Sequence, residues 1–286
     1  MPLPWTGVPP GPHDVGLVVC DMDGTLLTSD DAIPDAFWPL LERLRERGAT
    51  FVPASGRQYA TLARSFASAE ADLAYVAENG SLVVHDGEVV SKTTVEPELV
   101  RQVTAALRAA PDAPDLGVVV CGVESAYIER RDPAFVTETE KYYARLQVVD
   151  DLTAMRDEVL KIAVFVFGEA ERLAATTFAP IARTHQVVVS GVNWIDIMHA
   201  EVDKGRAVRA LQAALGVPPE RTVVFADYLN DLEMLDAAAW SFAMANAHPA
   251  VRERARYLAP SNDEHGVVTV LRRLLGERPD ADASSV

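Results

Sequence analysis

Val15-Gly16-Leu17-Val18-Val19-Cys20-Asp21-Met22-Asp23-Gly24-Thr25-Leu26-Leu27 is the stretch whose reading decides the fold. An apolar run of strand length stops at an acid. A second acid follows two residues later, and a glycine permits a tight turn. The pattern returns along the chain. Thr50–Ala54 ends at Ser55, the run at 73–77 ends at Glu78, Thr222–Ala226 ends at Asp227, and 241–245 ends at Asn246. Helical periodicity lies between these runs, at 34–47 (Phe37, Leu40, Leu41 and Leu44 on one face), onward from Ser55 to about 69, and at 203–215, 230–238 and 267–275. Pro34 suits a first turn and Gly48 a stop, whereas Pro39 points to a later helix start. Strands alternating with helices predict an α/β fold, a mostly parallel sheet with helices on both faces.

The texture changes in the middle. Residues 81–85 and 88–93 flank Asp86-Gly87, a hairpin signal. A helix at 97–110 follows, then strands at 116–121 and 126–129, a helix at 133–145, a strand at 160–167, a helix at 170–181, and strands at 187–190 and 194–198 around Gly191. This is an α+β unit inserted into the α/β core. The expected organisation is an N-terminal extension at 1–13, a discontinuous core at 14–83 and 192–276, the insertion at 84–191, and a polar, disordered tail at 277–286.

The 286 residues carry 42 acidic and 26 basic side chains, a net charge of −16, which excludes a basic nucleic-acid face or an anionic-membrane binder. No apolar run approaches the roughly 18 residues of a membrane span. The proline-rich N-terminus has no basic cluster and does not resemble a signal peptide. Cys20 and Cys121 are far apart in the chain and read as small core residues, which fits a reduced, cytoplasmic setting.

In an open parallel sheet, ligands bind at the carboxyl ends of the strands. Asp21, Ser55, Glu78, Asp227 and Asn246 are therefore expected around one crevice. Asp21 and Asp23 form an acidic pair that needs a cation or a shared proton; an acidic surface turn is the alternative. A calcium loop is excluded, because its twelfth position, counted from Asp21, is Ala32. Asp227 offers a further metal oxygen and Asp231 a group to orient it, or else Asp227 or Asn230 caps a helix. Lys204, in a helix first turn, opposes the dipole and needs solvent or an anion. Ser55-Gly56-Arg57 opens a helix as an anion site or as an ordinary cap. Together the carboxylates imply a hard divalent cation, Mg²⁺, and the hydroxyl, amides and lysine imply a phosphoryl group beside it. The six histidines do not cluster into a zinc set, and no glycine-rich nucleotide loop is present.

Asp21-Met22-Asp23-Gly24-Thr25-Leu26-Leu27, Ala54-Ser55-Gly56-Arg57, Glu78-Asn79-Gly80, Lys204-Gly205, Asp227-x-x-Asn230-Asp231-x-x-Met234-Leu235, Met244-Ala245-Asn246-Ala247 and Ser261-Asn262-Asp263-Glu264-His265-Gly266-Val267 jointly resemble the haloacid dehalogenase superfamily. Within it they look like the Cof-like phosphatases with a large α/β cap. The resemblance covers about residues 15–275. It implies a Rossmann-like, doubly wound parallel-sheet core and a mobile cap. It implies Asp21 as nucleophile toward phosphorus and Asp23 as the acid and then the base. Mg²⁺ would sit on the Asp21 carboxylate, the Asp23 carbonyl and Asp227. Met22, Ser55, Gly56, Arg57, Lys204 and Asn230 would surround the phosphoryl group, and Asp231 would support the metal's water or Lys204.

The expected function is Mg²⁺-dependent hydrolysis of a small phosphorylated metabolite, such as a sugar phosphate, through an aspartyl-phosphate. Alternatives are a phosphatase dedicated to mannosyl-3-phosphoglycerate, a flavin-pathway intermediate or pyridoxal phosphate; a phosphomutase; a phosphoaccepting switch; and a phosphometabolite-binding protein without turnover. Monomer and dimer both remain open. One departure stands out: Ala226 replaces the family's usual glycine before Asp227, which would strain the backbone by about 1 kcal/mol or more if φ were positive there.

Overall fold

The computed structural model describes residues 2–69, 73–109, 115–168, 170–190 and 192–277. The expected disordered tail, Glu277 apart, lies outside the described residues. Chain order begins with β1 (Leu3–Pro4), β2 (Leu17–Asp21), α1 (Phe37–Glu46), β3 (Thr50–Ala54), α2 (Tyr59–Ser65), β4 (Ala74–Ala77), β5 (Leu82–His85) and β6 (Glu88–Lys92). The middle of the chain forms α3 (Pro97–Ala109), β7 (Leu116–Gly122), β8 (Ala126–Ile128), α4 (Pro133–Glu140), β9 (Leu146–Val148), β10 (Val159–Val166), α5 (Ala170–Thr176), β11 (His185–Val189) and β12 (Trp194–His199). The last third adds α6 (Lys204–Leu215), β13 (Thr222–Ala226), α7 (Leu232–Leu235), β14 (Trp240–Ala243), α8 (Pro249–Arg254), β15 (Tyr257–Leu258) and α9 (Gly266–Leu275).

The first sheet runs β1-β15-β14-β13-β2-β3-β4-β5-β6. It is parallel as far as β4 and ends in the antiparallel β4–β5–β6 edge. Its central strands β2, β3 and β13 are buried at every position, as apolar runs without alternation predict. Register explains the site. Asp21 pairs with Ala54, and Phe225 pairs with Cys20, so Asp21, Ser55 and Asp227 emerge side by side at one sheet edge. Phe37 of α1 meets Phe51 of β3 edge-on at 4.9 Å, fixing that helix on the sheet.

The second sheet runs β11-β12-β10-β7-β8-β9. Strand alternation splits β10 between two faces. Ile162, Val164 and Val166 join Val103 and Leu107 of α3 and Leu173 of α5 in one apolar cluster. Ala163 and Phe165 join Phe135 of α4 and Val119 in another.

Sheet membership moves the expected limits of the insertion. The Asp86-Gly87 hairpin belongs to the first sheet, so position 84 falls inside a core strand. Trp194–His199 belongs to the second sheet, beyond the expected end at 191. The cap is therefore the chain between β6 and α6. Other corrections are local. α1 starts at Phe37, and Pro39, third in the helix, sits where no intrahelical donor is required. α2 ends at Ser65, well before 69. α5 closes at Thr176, and α7 spans only Leu232–Leu235. α4 closes at Glu140, and the chain then forms the unexpected strand β9 beside β8.

Beyond the two connections, one of the contacts between core and cap is made by the start of α2. Gln58 exchanges two hydrogen bonds of 2.9 Å with the Arg145 backbone. Thr61 Oγ1 donates to the Tyr142 carbonyl at 2.8 Å and accepts from the Ala144 N–H at 3.1 Å. Among the described residues no helix is long and apolar enough to cross a membrane.

Candidate active site

Lys204 is the first residue of α6, and Asp203 caps that helix by accepting from the Arg206 N–H. Its side chain is fully buried, and its ammonium bridges Asp21 Oδ1 at 2.6 Å and Asp231 Oδ1 at 2.7 Å. Asp231 Oδ2 accepts from the backbone N–H groups of Asp227 and Tyr228, both at 3.2 Å. One carboxylate thus fixes the lysine and the turn that carries Asp227. Asp227 Oδ1 accepts from Thr25 Oγ1 at 3.1 Å, which ties this turn to the loop after β2. Gly24 has φ of +76°, and a Cβ there would lie 2.4 Å from Asp227 Oδ2. Glycine is required for both the turn and the close approach.

Carboxylate oxygens of Asp21, Asp227 and Asp231 all lie within 4.8 Å of one another. Three carboxyl groups cluster at the Lys204 ammonium, and full ionisation would leave an excess of two negative charges. Burial, then the Asp231 charge, pushes the Asp21 carboxyl well above its ordinary range, although Lys204 opposes this. Burial and Asp231 push Asp227 up to about 6. Burial works against the Lys204 charge, but Asp21 and Asp231 outweigh it and raise its pKa. A divalent cation with hard oxygen ligands suits this imbalance and this donor set.

Asp23 stands apart from that cluster, with a side chain 60% exposed at the mouth. Arg57 grips it through Nε, at 3.1 Å, and Nη2, and Nη2 also reaches Asp31 at 2.9 Å. Arg57 lines the crevice, but its guanidinium is engaged with carboxylates. Ser55 Oγ accepts from the Arg57 N–H at 3.2 Å. Asn230 donates to Asn79 Oδ1 at 3.2 Å.

A cavity of about 510 Å³ lies between core and cap. Asp21, Asp23, Ser55, Gly56, Arg57, Asn79, Asp227 and Asn230 line its core side, and Glu138, Tyr142, Tyr143, Lys161, Phe165, Asn193 and Trp194 are among those lining its cap side. Of the five strand-end residues expected around the crevice, Asp21, Ser55 and Asp227 line it. Glu78 instead turns into the interior, buried against Lys161. Asn246 props the Gly24 carbonyl from outside the cavity, donating at 2.8 Å. The Met22 side chain is buried in the core. Ala226 is the last residue of an extended strand and has no positive φ, so the missing glycine brings no backbone strain. Cys20 and Cys121 are free and buried, as expected.

Sequence reading missed Asn79 as a cavity residue, the Gln58 and Thr61 grip, and the pair Lys161 and Asp196. A signal for that pair existed, since each is a lone charge inside an apolar strand, and a fully buried charge is rare unless paired.

The chain matches the haloacid dehalogenase-like hydrolase family over residues 18–271. It is 33% identical over 264 residues to the 5-amino-6-(5-phospho-D-ribitylamino)uracil phosphatase YbjI of Escherichia coli, covering 91% of this chain and 96% of that protein. Its fold is similar to that of SMU.1108c from Streptococcus mutans, with a TM-score of 0.79, 26% identity, and coverage of 92% of this chain and 100% of the other. It is also similar in fold to the subclass IIB sugar phosphatase BT4131, with a TM-score of 0.73, 20% identity, and coverage of 90% and 98%. With its parallel-sheet core, inserted cap and acidic crevice, the chain belongs to the haloacid dehalogenase-like hydrolases, among the Cof-like phosphatases.

Proposed function

We propose that the protein hydrolyses small phosphate monoesters with Mg²⁺, through an aspartyl-phosphate on Asp21. The observation that carries this reading is the cluster of Asp21, Asp227 and Asp231 around Lys204, with Asp21 and Asp227 lining a cavity that a small metabolite fits. Asp21 and Asp227, with the Asp23 carbonyl, would hold Mg²⁺. Bound there, Mg²⁺ would neutralise charge on the phosphoryl group and on the carboxylates around it.

The chain's own residues then divide the work. Lys204 neutralises charge at Asp21 and at the incoming phosphoryl oxygens. Ser55, the Gly56 amide and Asn230 orient those oxygens. The Asp21 carboxylate attacks phosphorus, and the bond to the leaving oxygen breaks. Asp23, protonated and released from the Arg57 grip seen here, supplies the proton that this oxygen takes. A water then attacks phosphorus, Asp23 accepts its proton, and phosphate leaves with Asp21 restored. Two positioned carboxylates thus serve two roles, one nucleophilic and one proton-carrying.

For the substrate, the broad reading is a sugar phosphate or similar metabolite. A narrower reading, a phosphate monoester that ends in a planar heterocycle, is favoured by the cap side of the cavity. Tyr142 and Trp194 meet edge-on at 5.5 Å, Phe165 lies 5.0 Å from Trp194, and Trp194 Nε1 is buried with no acceptor among the described residues. An aromatic wall suits contact with a planar ring. The name of the YbjI relative gives such a compound.

The test is phosphate release from hexose phosphates, nucleotides, pyridoxal phosphate and 5-amino-6-(5-phospho-D-ribitylamino)uracil, with Mg²⁺ or with a chelator, by wild type and Asp21→Asn. Mg²⁺-dependent release that disappears in Asp21→Asn is expected. Release that persists with the chelator, or in Asp21→Asn, would sink the reading. A preference for hexose phosphates over every ring-bearing substrate would sink the narrower one.

A further inference from the structure

A second buried charge cluster sits where cap meets core, and the proposed hydrolysis does not use it. Lys161, on cap strand β10, is only 4% exposed. Its ammonium lies 2.9 Å from the Gly56 carbonyl, 2.9 Å from Glu78 Oε2 and 3.3 Å from Asp196 Oδ2. An ammonium has three protons, and three acceptors from three different elements surround this one. Lys161 lines the cavity, yet it hydrogen-bonds the Gly56 carbonyl and Asp196 and forms an ion pair with Glu78. Burial works against its charge, but Asp196 and Glu78 outweigh that and hold it protonated.

The Gly56 contact gives the cluster its consequence. The Gly56 carbonyl and the Arg57 N–H belong to one peptide plane, and that N–H holds Ser55 Oγ. The same loop is laced to the turn after β4. Glu78 N–H donates to the Arg57 carbonyl at 3.1 Å, and Asn79 N–H donates to the Ser55 carbonyl at 3.0 Å. That turn holds Glu78 and Asn79 at φ of +50° and +58°, a conformation non-glycine residues adopt only when their surroundings impose it. Lys161 therefore reaches from the cap onto both strands of a two-loop unit, of which Ser55, Gly56 and Asn79 face the cavity.

We propose that Lys161 is a positioning residue that sets the Ser55–Gly56–Arg57 loop for phosphate and makes phosphate affinity depend on the docked cap. The inference rests on the phosphatase reading, because that reading assigns Ser55 and the Gly56 amide to the phosphoryl oxygens. It predicts that the cap governs the affinity for inorganic phosphate, an anion too small to span the cavity to the aromatic wall.

The experiment measures inorganic phosphate in the presence of Mg²⁺, by calorimetric titration and as an inhibitor of p-nitrophenyl phosphate hydrolysis. The proteins are wild type, Lys161→Arg, Lys161→Met, and the triple variant Lys161→Met, Glu78→Gln, Asp196→Asn. The triple variant leaves no unpaired charge buried, so it decides the matter if Lys161→Met fails to fold. Expected are a phosphate affinity about tenfold weaker in the Met and triple variants, the scale of one lost charge-assisted hydrogen bond, and substantial recovery in Lys161→Arg. A folded triple variant with wild-type phosphate affinity and kcat/KM would overturn the proposal while leaving the phosphatase reading intact. A raised KM with unchanged phosphate affinity would also overturn it, since Lys161 would then be touching the substrate itself. Wild type that neither hydrolyses the ester nor binds phosphate would defeat the phosphatase reading, and this inference with it.

Discussion

A methyl group on Gly24 would meet Asp227, and that contact shows how tightly single residues are specified around the acids. Gly24→Ala combines a positive φ with a Cβ 2.4 Å from Asp227 Oδ2. Folding stability should fall by about 1–3 kcal/mol. Mg²⁺ affinity should fall as well, because Asp227 must move to make room. Thermal unfolding with and without Mg²⁺ separates the two effects, and a variant with unchanged Mg²⁺ stabilisation would show that Asp227 does not hold the ion. At this scale the sequence was informative where a residue type has few uses. An acid after a strand, followed by Asp-Gly-Thr, admits few readings. Arg57 was less legible. Next to Ser55-Gly56 it reads as a phosphate-binding residue, whereas in the fold its guanidinium reaches Asp23 and Asp31. Nothing local in sequence fixes where so long a side chain points.

At the scale of elements, the contact of α2 with the cap is built from side chains on one partner and backbone on the other. Gln58 and Thr61, one helical turn apart, take the backbone of Tyr142, Ala144 and Arg145. The cap segment so held carries Tyr142 and Tyr143 to the cavity. Replacing both Gln58 and Thr61 with Ala should speed amide exchange at Ala144 and Arg145, with the central strands β2, β3 and β13 still protected. It should also raise KM more than it lowers kcat. Unchanged exchange at those two amides would show that the cap is held elsewhere. Sequence periodicity foresaw the central parallel strands β2, β3 and β13 to within two residues, because an apolar run flanked by helices has one stable use in an α/β core. It missed β1, β9 and β15, which have only two or three residues each, and the short helix α8. It misplaced the insertion for a different reason. A hairpin at the edge of a parallel sheet reads locally like the start of a new antiparallel unit, and only long-range pairing with β4 assigns it to the core.

For the whole molecule, the acids at the site outnumber the buried lysine they surround. Three carboxylates face Lys204, and Asp227 is pushed from an ordinary 3.8 to about 6. In chelated protein the native state therefore holds more protons at Asp227 than the unfolded chain does between about pH 4 and 6, so this group's contribution to stability is lost as pH rises through that window. Mg²⁺ held by Asp227, as proposed, would compete with that proton. Its stabilisation should be large at pH 7.5 and shrink as pH falls below 6. Melting curves at several pH values, with Mg²⁺ or chelator, check this; a Mg²⁺ increment independent of pH would contradict it. The net charge of −16 does not forbid an anionic substrate, because salt screens distant charge over roughly 8 Å and Lys204 is the buried cation that faces the acids.

The central claim is the division of labour between Asp21 and Asp23, and a pre-steady-state experiment on Asp23→Asn tests it most directly. p-Nitrophenolate leaves without needing a proton, so the first transfer to Asp21 should proceed, whereas the water that completes turnover has lost its base. With Mg²⁺ and p-nitrophenyl phosphate, the account predicts a rapid burst approaching one p-nitrophenolate per active site, followed by slow turnover. The burst should vanish when Asp21→Asn is added. Linear release from the first turnover, at a rate close to that of wild type, would contradict the account.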